Sequence, residues 1–239
     1  MLLYIIRHAE PHYPTDSLTE NGVKQAAALA ERLCSHGLDE AYSSPLGRAI
    51  QTAQPTCERL SLPYKIEDWM SESTAWGEFS VIDAKGTHRW AFQCQNAELL
   101  KNGDPTRGDW HAHPEFSACK AAEEGYRRVA DHSDEFIARL GYRRDGRVYR
   151  DVSPNERRVA AFCHAGFGSI WLSHLMSVPP LIFWAGFDIA HSGVTVLEFK
   201  NSPDGLTAPM CLCFSDISHI YKAGLHIEAA IGFMKAAIS

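Results

Sequence analysis

The sequence of 239 residues lacks an uninterrupted apolar run of about 18 residues, the length that a transmembrane helix requires. It also lacks any tract rich in lysine and arginine, and its formal net charge is −6. Affinity for nucleic-acid backbones depends on extended basic surface, so neither a membrane nor a nucleic acid is an expected partner. There is no internal repeat and no low-complexity segment.

The N-terminus lacks the basic flank and the small-residue cleavage site of a signal peptide. The seven cysteines are an odd number without the spacing of a disulfide framework, which is typical of a reducing compartment. We therefore expect a cytoplasmic protein. The hydrophobic content of 45% and the charged content of 22% are ordinary for a globular protein, and we expect one α/β domain over residues 1–239.

The chain begins with an apolar stretch, residues 2–6, that is followed at once by Arg7 and His8. A short aliphatic run without charge is typical of a strand that is buried on both faces, as in a parallel sheet. Ligands of open α/β sheets bind beyond the carboxyl ends of such strands. Arg7 and His8 therefore lie where ligands bind, and they offer a fixed positive charge beside a nitrogen that can act as a nucleophile or carry a proton.

A second unit of the same kind lies near residue 164. Residues 158–163 repeat this strand pattern, with an apolar run over residues 159–163, and His164 follows them. Gly166 and Gly168 permit a tight turn, after which residues 169–176 are predicted to be helical. Two histidines at the ends of two buried strands could meet over one pocket.

A third element, residues 43–53, predicts a helix that begins near Ser44 and Pro45. Serine is a good N-cap, and proline is tolerated at the first helical position because its missing N–H is not needed there. Arg48 then lies in the first turn, although that end of a helix favours acidic residues. The free N–H groups and the helix dipole attract anions, so Arg48 is a candidate ligand of a phosphate or a carboxylate.

Helical and strand patterns alternate along the chain. Helices are predicted over residues 20–36 and 123–140, and a charged hairpin over 142–152. Two late strands, 193–199 and 210–214, are expected at the edge of the sheet. This alternation predicts a three-layer α/β fold, with a mostly parallel central sheet flanked by helices.

Residues 80–115 are polar and aromatic with little periodicity. We interpret them as an inserted cap over the mouth of the pocket, where substrate selectivity would lie; a packed surface insertion is the alternative.

Four ordered motifs resemble those of the histidine phosphatase superfamily, which is also called the phosphoglycerate mutase-like family. The family motifs are R-H-G-E, L-T-x-x-G-x-x-Q-A, S-S-P-L-x-R-A-x-Q-T-A and a later H-G or H-A-G after a strand. Their counterparts here are residues 7–10, 18–26, 43–53 and 164–166. Where the mutases of the family carry a longer stretch after the first motif, this chain has Pro11-His12-Tyr13-Pro14, so the resemblance favours a phosphatase over a mutase.

The resemblance implies a role for each matched residue. His8 would be the nucleophile that accepts the phosphoryl group, and Arg7, Arg48 and His164 would hold the phosphoryl oxygens, His164 also having a catalytic part. Two guanidinium groups suit a phosphate because they are planar, bidentate and always charged. Since arginine and histidine supply the positive charge, the resemblance implies neither a metal ion nor another cofactor.

The resemblance also implies a glutamate that protonates the leaving oxygen, which Met70-Ser71-Glu72 matches. Glu78 is the rival, and Glu10 and Asp83 are weaker candidates. A carboxyl group that faces arginines must be partly desolvated if it is to stay protonated near neutral pH.

The sequence as a whole predicts a metal-independent phosphatase that hydrolyses a small phosphorylated metabolite through a phosphohistidine on His8. The alternatives are a cofactor-dependent phosphotransferase of the phosphoglycerate mutase type and a phosphate-binding module without turnover.

Overall fold

A computed structural model of the chain describes residues 1–94, 96–102 and 104–225. Its strands are, in chain order, β1 (Leu2–Arg7), β2 (Pro11–His12), β3 (Ser17–Leu18), β4 (Glu40–Ser43), β5 (Tyr64–Ile66), β6 (Ser80–Ile82), β7 (His88–Trp90), β8 (Tyr142–Asp145), β9 (Val148–Asp151), β10 (Arg158–Cys163), β11 (Val194–Glu198), β12 (Leu206–Thr207) and β13 (Met210–Asp216). Its helices are α1 (Glu20–His36), α2 (Gly47–Leu60), α3 (Glu72–Phe79), α4 (Asn96–Lys101), α5 (Ala122–Arg139), α6 (Ala165–Leu175), α7 (Pro180–Gly186) and α8 (Ser218–Lys222). Short 3₁₀ helices lie at Tyr13–Thr15, Asp68–Met70, Trp110–Ala112 and Pro114–Phe116.

The central sheet has six strands in the order β13-β11-β1-β10-β4-β5. The four strands from β1 to β5 in this order are mutually parallel, whereas β11 is antiparallel to β1 and β13 is antiparallel to β11. The expected mostly parallel sheet, with the two late strands at one edge, is confirmed.

Both faces of the sheet are covered, which explains why β1 is apolar from Leu2 to Ile6 rather than alternating. Leu3 and Ile5 join the hydrophobic cluster that includes α5 and α6. Tyr4 and Ile6 point to the other face and pack in the cluster of α1 and α2. Successive side chains of a strand point to opposite faces, so a strand inside three layers must be apolar at every position. The predicted three-layer α/β fold is confirmed.

Helix α1 begins and ends where the sequence predicts. The Thr19 hydroxyl accepts a hydrogen bond from the Gly22 backbone N–H, and Gly37 follows the last turn with a φ of +73°. A left-handed φ of this kind strains any residue with a Cβ, so a glycine marks the end of the helix.

Helix α2 corrects the prediction of where residues 43–53 become helical. The helix begins at Gly47 after Leu46, not at Ser44 and Pro45, and the Leu46 side chain makes no capping hydrogen bond. The Ser44 hydroxyl is instead in contact with His164. Arg48 still lies in the first turn.

Residues 80–115 are more regular than the sequence indicates. Strands β6 and β7 form a hairpin, and α4 and two 3₁₀ helices follow among the described residues. Elements of three to six residues are too short to show a period. Their aromatic side chains pack against α7, where Trp184 lies 5.0 Å from Phe92 and 5.1 Å from Trp110 between ring centroids.

No helix in the described part of the chain has the length and apolar character needed to cross a membrane.

Candidate active site

The parallel pairing of β1 with β10 brings two histidines together. Arg7 lies opposite Cys163 in the register, so the next residues, His8 and His164, leave the sheet side by side. Their ring centroids are 5.1 Å apart. Strand β4, on the other side of β10, leads into α2 and so brings Arg48 to the same edge. The residues from three separate motifs therefore converge, as their positions at strand ends predict.

His8 has one ring nitrogen committed and one available. Its Nδ1 lies 2.7 Å from the carbonyl oxygen of Ala9. A carbonyl can only accept, so Nδ1 carries the proton and Nε2 keeps its lone pair. The pKa of His8 lies well below its ordinary value, first because the ring is buried and then because His164, Arg7 and Arg48 disfavour a further positive charge. At neutral pH the ring is therefore uncharged and can act as a nucleophile.

Arg7 is held from two sides. Its guanidinium donates to the carbonyl oxygen of Ile189 at 2.5 Å and to Nε2 of His191 at 2.6 Å. Because a guanidinium cannot accept, Nε2 of His191 must be unprotonated and the proton of that ring lies on Nδ1. The His191 ring centroid is 5.6 Å from that of His8. A third imidazole thus borders the site.

The sequence analysis missed His191, although a signal was present. Strand β11 is antiparallel to β1, and Val194 pairs with Ile6. The start of β11 therefore adjoins the end of β1, and the Ser192 N–H donates to the His8 carbonyl oxygen at 3.1 Å. The polar residues just before an antiparallel strand next to β1 belong to the site for this reason.

Arg48 is oriented by Asp16, another residue that sequence reasoning missed. The guanidinium donates to Oδ1 of Asp16 at 2.5 Å, and the Gly47 N–H donates to Oδ2 at 2.6 Å. The Tyr13 ring centroid lies 5.4 Å from the guanidinium carbon. Nε of Arg48 is buried and has no hydrogen-bond partner among the described residues. The side chain is therefore fixed while donors remain for an anion.

His164 is fully buried, and its Nε2 lies 2.7 Å from the Ser44 hydroxyl oxygen. Its Nδ1 is buried without a hydrogen-bond partner in the part of the chain that the structure describes. Burial, followed by the charges of Arg48 and Arg7, holds the pKa of His164 well below its ordinary value. Helix α6 begins at Ala165, directly after this residue, so Gly166 and Gly168 lie inside the helix and not in the predicted turn.

Glu72 caps α6 from the neighbouring helix α3. Its Oε2 accepts from the Phe167 N–H at 2.7 Å and its Oε1 from the Gly166 N–H at 3.1 Å. Burial raises the pKa of Glu72, and the two backbone hydrogen bonds, Arg48 and Arg7 oppose that rise. Because burial is the largest effect, the protonated carboxyl is more accessible near neutral pH than that of an ordinary glutamate.

The other acidic candidates have different partners. Glu78 forms a bidentate ion pair with Arg128, with both N···O distances at 2.8 Å. Glu10 lines the cavity, but its oxygens accept from the Thr19 hydroxyl and the Asn21 amide. The remaining candidate, Asp83, accepts from two backbone N–H groups in the β6–β7 hairpin.

A cavity of about 620 Å³ opens above these groups. It is lined by charged, polar and aromatic side chains: Arg7, His8, Glu10, Pro11, Tyr13, Arg48, Glu72, Ser73, Trp76, Trp90, Gln93 and His191. No group of three or more histidine, cysteine or acidic side chains among the described residues is arranged to hold a metal ion. The arrangement can hold a tetrahedral anion beside an uncharged imidazole, with a carboxyl group nearby.

Comparison with known proteins identifies a matching family. A family model described as the histidine phosphatase superfamily, branch 1, matches residues 3–207. Two uncharacterized proteins from strains of Mycobacterium tuberculosis are 32% identical over 80 residues, which is 30% of this chain and 40% of theirs. The match thus spans about two fifths of the length of these curated relatives.

Solved structures with a similar fold include phosphoserine phosphatase from Entamoeba histolytica in complex with 3-phosphoglyceric acid. The TM-score is 0.62 at 19% identity, over 92% of this chain and 98% of that chain. A mycobacterial glucosyl-3-phosphoglycerate phosphatase has a TM-score of 0.56 at 17% identity, over 90% of this chain and 98% of that chain. The alpha-ribazole phosphatase of Shigella flexneri has a TM-score of 0.56 at 17% identity, over 89% of this chain and 96% of that chain. At these identities the likeness concerns the fold.

Proposed function

The chain belongs to the histidine phosphatase superfamily, and from this premise we propose that it hydrolyses a phosphomonoester of a small metabolite through a phosphohistidine on His8. The observation that carries the proposal is the state of His8 itself. Its ring is uncharged, its proton is held on Nδ1 by Ala9, and it lies beside Arg7 and His164 at the floor of a cavity.

In the first step, the Nε2 lone pair of His8 attacks phosphorus in line with the ester oxygen. The P–N bond forms as the P–O bond to the leaving alcohol breaks. Charge on the equatorial oxygens is neutralised by Arg7 and Arg48, which are held in place by Ile189, His191 and Asp16. Phosphoryl transfer depends mainly on such positioning and electrostatic stabilisation. His164, with its unpartnered Nδ1, is a further ligand of these oxygens.

Glu72 supplies the proton that the leaving oxygen needs, because an alkoxide is a poor leaving group. Its raised pKa supports this assignment. In the second step the Glu72 carboxylate takes a proton from water as the water oxygen attacks phosphorus. The P–N bond breaks, inorganic phosphate leaves, and His8 and Glu72 return to their starting states.

We further propose that the reaction needs no metal ion, since two guanidinium groups supply the charge, and that the protein acts in the cytoplasm. The odd number of cysteines without framework spacing supports the location.

The test is a rapid-quench experiment with an aryl phosphate labelled in its phosphoryl group. We expect a protein-bound label that is stable to alkali and lost in acid, as a phosphoramidate is, and no label and no turnover in His8→Ala. His12→Ala is the control, because this exposed histidine contacts Thr15 and does not line the cavity. Turnover should survive a chelator.

Full activity of His8→Ala, or loss of activity by chelation alone, would refute the mechanism. Stabilisation by phosphate without hydrolysis of any substrate would indicate a binding module. Interconversion of phosphoglycerates that depends on a bisphosphate primer would indicate a mutase.

A further inference from the structure

Trp76 and Glu72 share one face of helix α3. They are four residues apart, so they lie one turn from each other on the same side. Both line the cavity. Helix α3 thus fixes both Glu72, the proposed proton donor, and the indole ring of Trp76 on one short element.

The Trp76 ring is held by its neighbours and is not free to turn away. Its centroid lies 4.9 Å from that of Trp90, at an interplanar angle of 87°, and 4.7 Å from that of His88. Trp90 in turn stacks on Phe92, with centroids 5.2 Å apart. Both tryptophans reach the cavity, and Tyr13 contributes a third ring to its lining.

The positive charges in the cavity lining are confined to the phosphoryl site. The two arginines, Arg7 and Arg48, belong to the phosphoryl site. The carboxylates in the lining are those of Glu72 and Glu10, and no lysine joins them among the described lining residues. A second anionic group on the substrate would therefore lack a cation of its own and would meet the Glu10 carboxylate.

From these observations we propose that the substrate is a phosphomonoester whose alcohol part carries an uncharged aromatic ring, which packs on Trp76 beside Trp90. The inference rests on the phosphatase activity proposed above and names its substrate class. Rings with a π-face stack on tryptophan regardless of their exact structure. Phosphate esters of small hydroxy acids do not fit this lining.

The test compares phosphomonoesters whose leaving groups are similar primary alcohols and which differ in whether the alcohol carries an aromatic ring. Adenosine 5′-monophosphate and benzyl phosphate carry one, whereas ribose 5-phosphate does not, and 3-phosphoglycerate brings a carboxylate. We expect kcat/KM for at least one ring-bearing ester to exceed that for ribose 5-phosphate about tenfold, in line with base–aromatic stacking. Phosphoglycerate should be the poorest substrate.

Trp76→Ala should remove this preference, so that the ratio of kcat/KM for the ring-bearing ester to kcat/KM for ribose 5-phosphate falls about tenfold. Trp76→Phe should keep most of the preference. Ile82→Ala is the matched control, because Ile82 lies in the β6–β7 hairpin with 71% of its surface exposed. Equal kcat/KM with and without the ring, or an equal loss on all substrates in Trp76→Ala, would overturn the proposal. If no ester is hydrolysed, the phosphatase proposal fails by itself. Calorimetric binding of the same esters then decides whether the ring is preferred.

Discussion

The Asp16 carboxylate lies 2.5 Å from the Arg48 guanidinium at the point where helix α2 begins. Its second oxygen accepts from the Gly47 N–H, so one side chain both caps the helix and orients the arginine. Asp16 has a φ of +47°, a left-handed conformation that aspartate tolerates better than most residues. The loop between β2 and β3 therefore shapes the proposed phosphoryl site, since its Asp16 orients Arg48 and its Tyr13 lines the cavity.

Asp16→Ala should lower kcat/KM about tenfold, because a charge-assisted hydrogen bond that fixes Arg48 is lost. Asp16→Asn should lose less, since its amide oxygen can still accept from Arg48, although its NH2 group then faces the Gly47 N–H. Steady-state kinetics of the two variants with an aryl phosphate make the comparison. An unchanged kcat/KM in Asp16→Ala would show that Arg48 is positioned without this contact.

Glu72→Gln and Glu78→Gln form a matched pair on one helix. Glu72→Gln should slow the first step, measured as release of the alcohol in a single turnover, about a hundredfold or more for an alkyl phosphate and much less for an aryl phosphate, because a phenoxide leaves without a proton donor. Glu78→Gln should leave both rates unchanged and lower the free energy of unfolding by about 1 kcal/mol, since it breaks the ion pair with Arg128. Equal slowing of alcohol release from both esters in Glu72→Gln would mean that Glu72 does not protonate the leaving oxygen.

The sequence was sufficient for the fold because its strongest signals are long and periodic. Helix α1 has a capping threonine, an apolar stripe and a terminating glycine, and its limits were predicted. Strand β1 is apolar up to Ile6 and strand β10 is apolar from Val159 onward, because both faces are buried there. The hairpin of β6 and β7 was missed, since three residues per strand cannot show alternation.

The site was predicted only in part, for a related reason. Arg7, His8 and His164 stand directly at strand ends, where adjacent strands bring them together. Asp16 and His191 lie in irregular segments, and their place beside Arg48 and Arg7 depends on tertiary contacts that no local pattern encodes. His191 could have been inferred only by also predicting that β11 runs antiparallel to β1.

Gly166 and Gly168 lie in the first turn of α6, yet they should respond differently to alanine. A Cβ at Gly166 would lie 2.6 Å from two ring atoms of Trp90, so the indole or the helix would have to move. A Cβ at Gly168 would meet the flexible end of Ile189 at 3.3 Å. Gly166→Ala should lower the free energy of unfolding by about 2 kcal/mol, as overpacking does. Gly168→Ala should be neutral or gain up to about 1 kcal/mol from helix propensity.

Urea unfolding and near-ultraviolet circular dichroism, which reports on Trp90, measure this difference. Similar free energies of unfolding for the two variants would mean that Trp90 is not packed against the start of α6.

Acid should destabilise the protein from about pH 6.5 downward, the ordinary pKa of an unfolded histidine. His8 and His164 have a pKa well below that value when folded, and that of His219 falls to about 4, chiefly because each ring is buried. Above pH 6.5 these rings are neutral in both states and have no effect. Below pH 6.5 the unfolded chain binds protons that the folded chain does not. The free energy of unfolding therefore decreases as the pH is lowered. For His219 the loss is about 2 kcal/mol at pH 5.

His219→Gln isolates one of these contributions, since this ring contacts the Ser192 hydroxyl and Arg32 outside the cavity. Between pH 7.5 and pH 5 the variant should lose about 2 kcal/mol less unfolding free energy than the unsubstituted protein. His36→Gln, at an exposed position on α1, is the control and should show the full loss. Urea titrations at the two pH values give the numbers. An identical pH dependence in His219→Gln and the unsubstituted protein would mean that the His219 ring is protonated as readily in the folded chain as in the unfolded one.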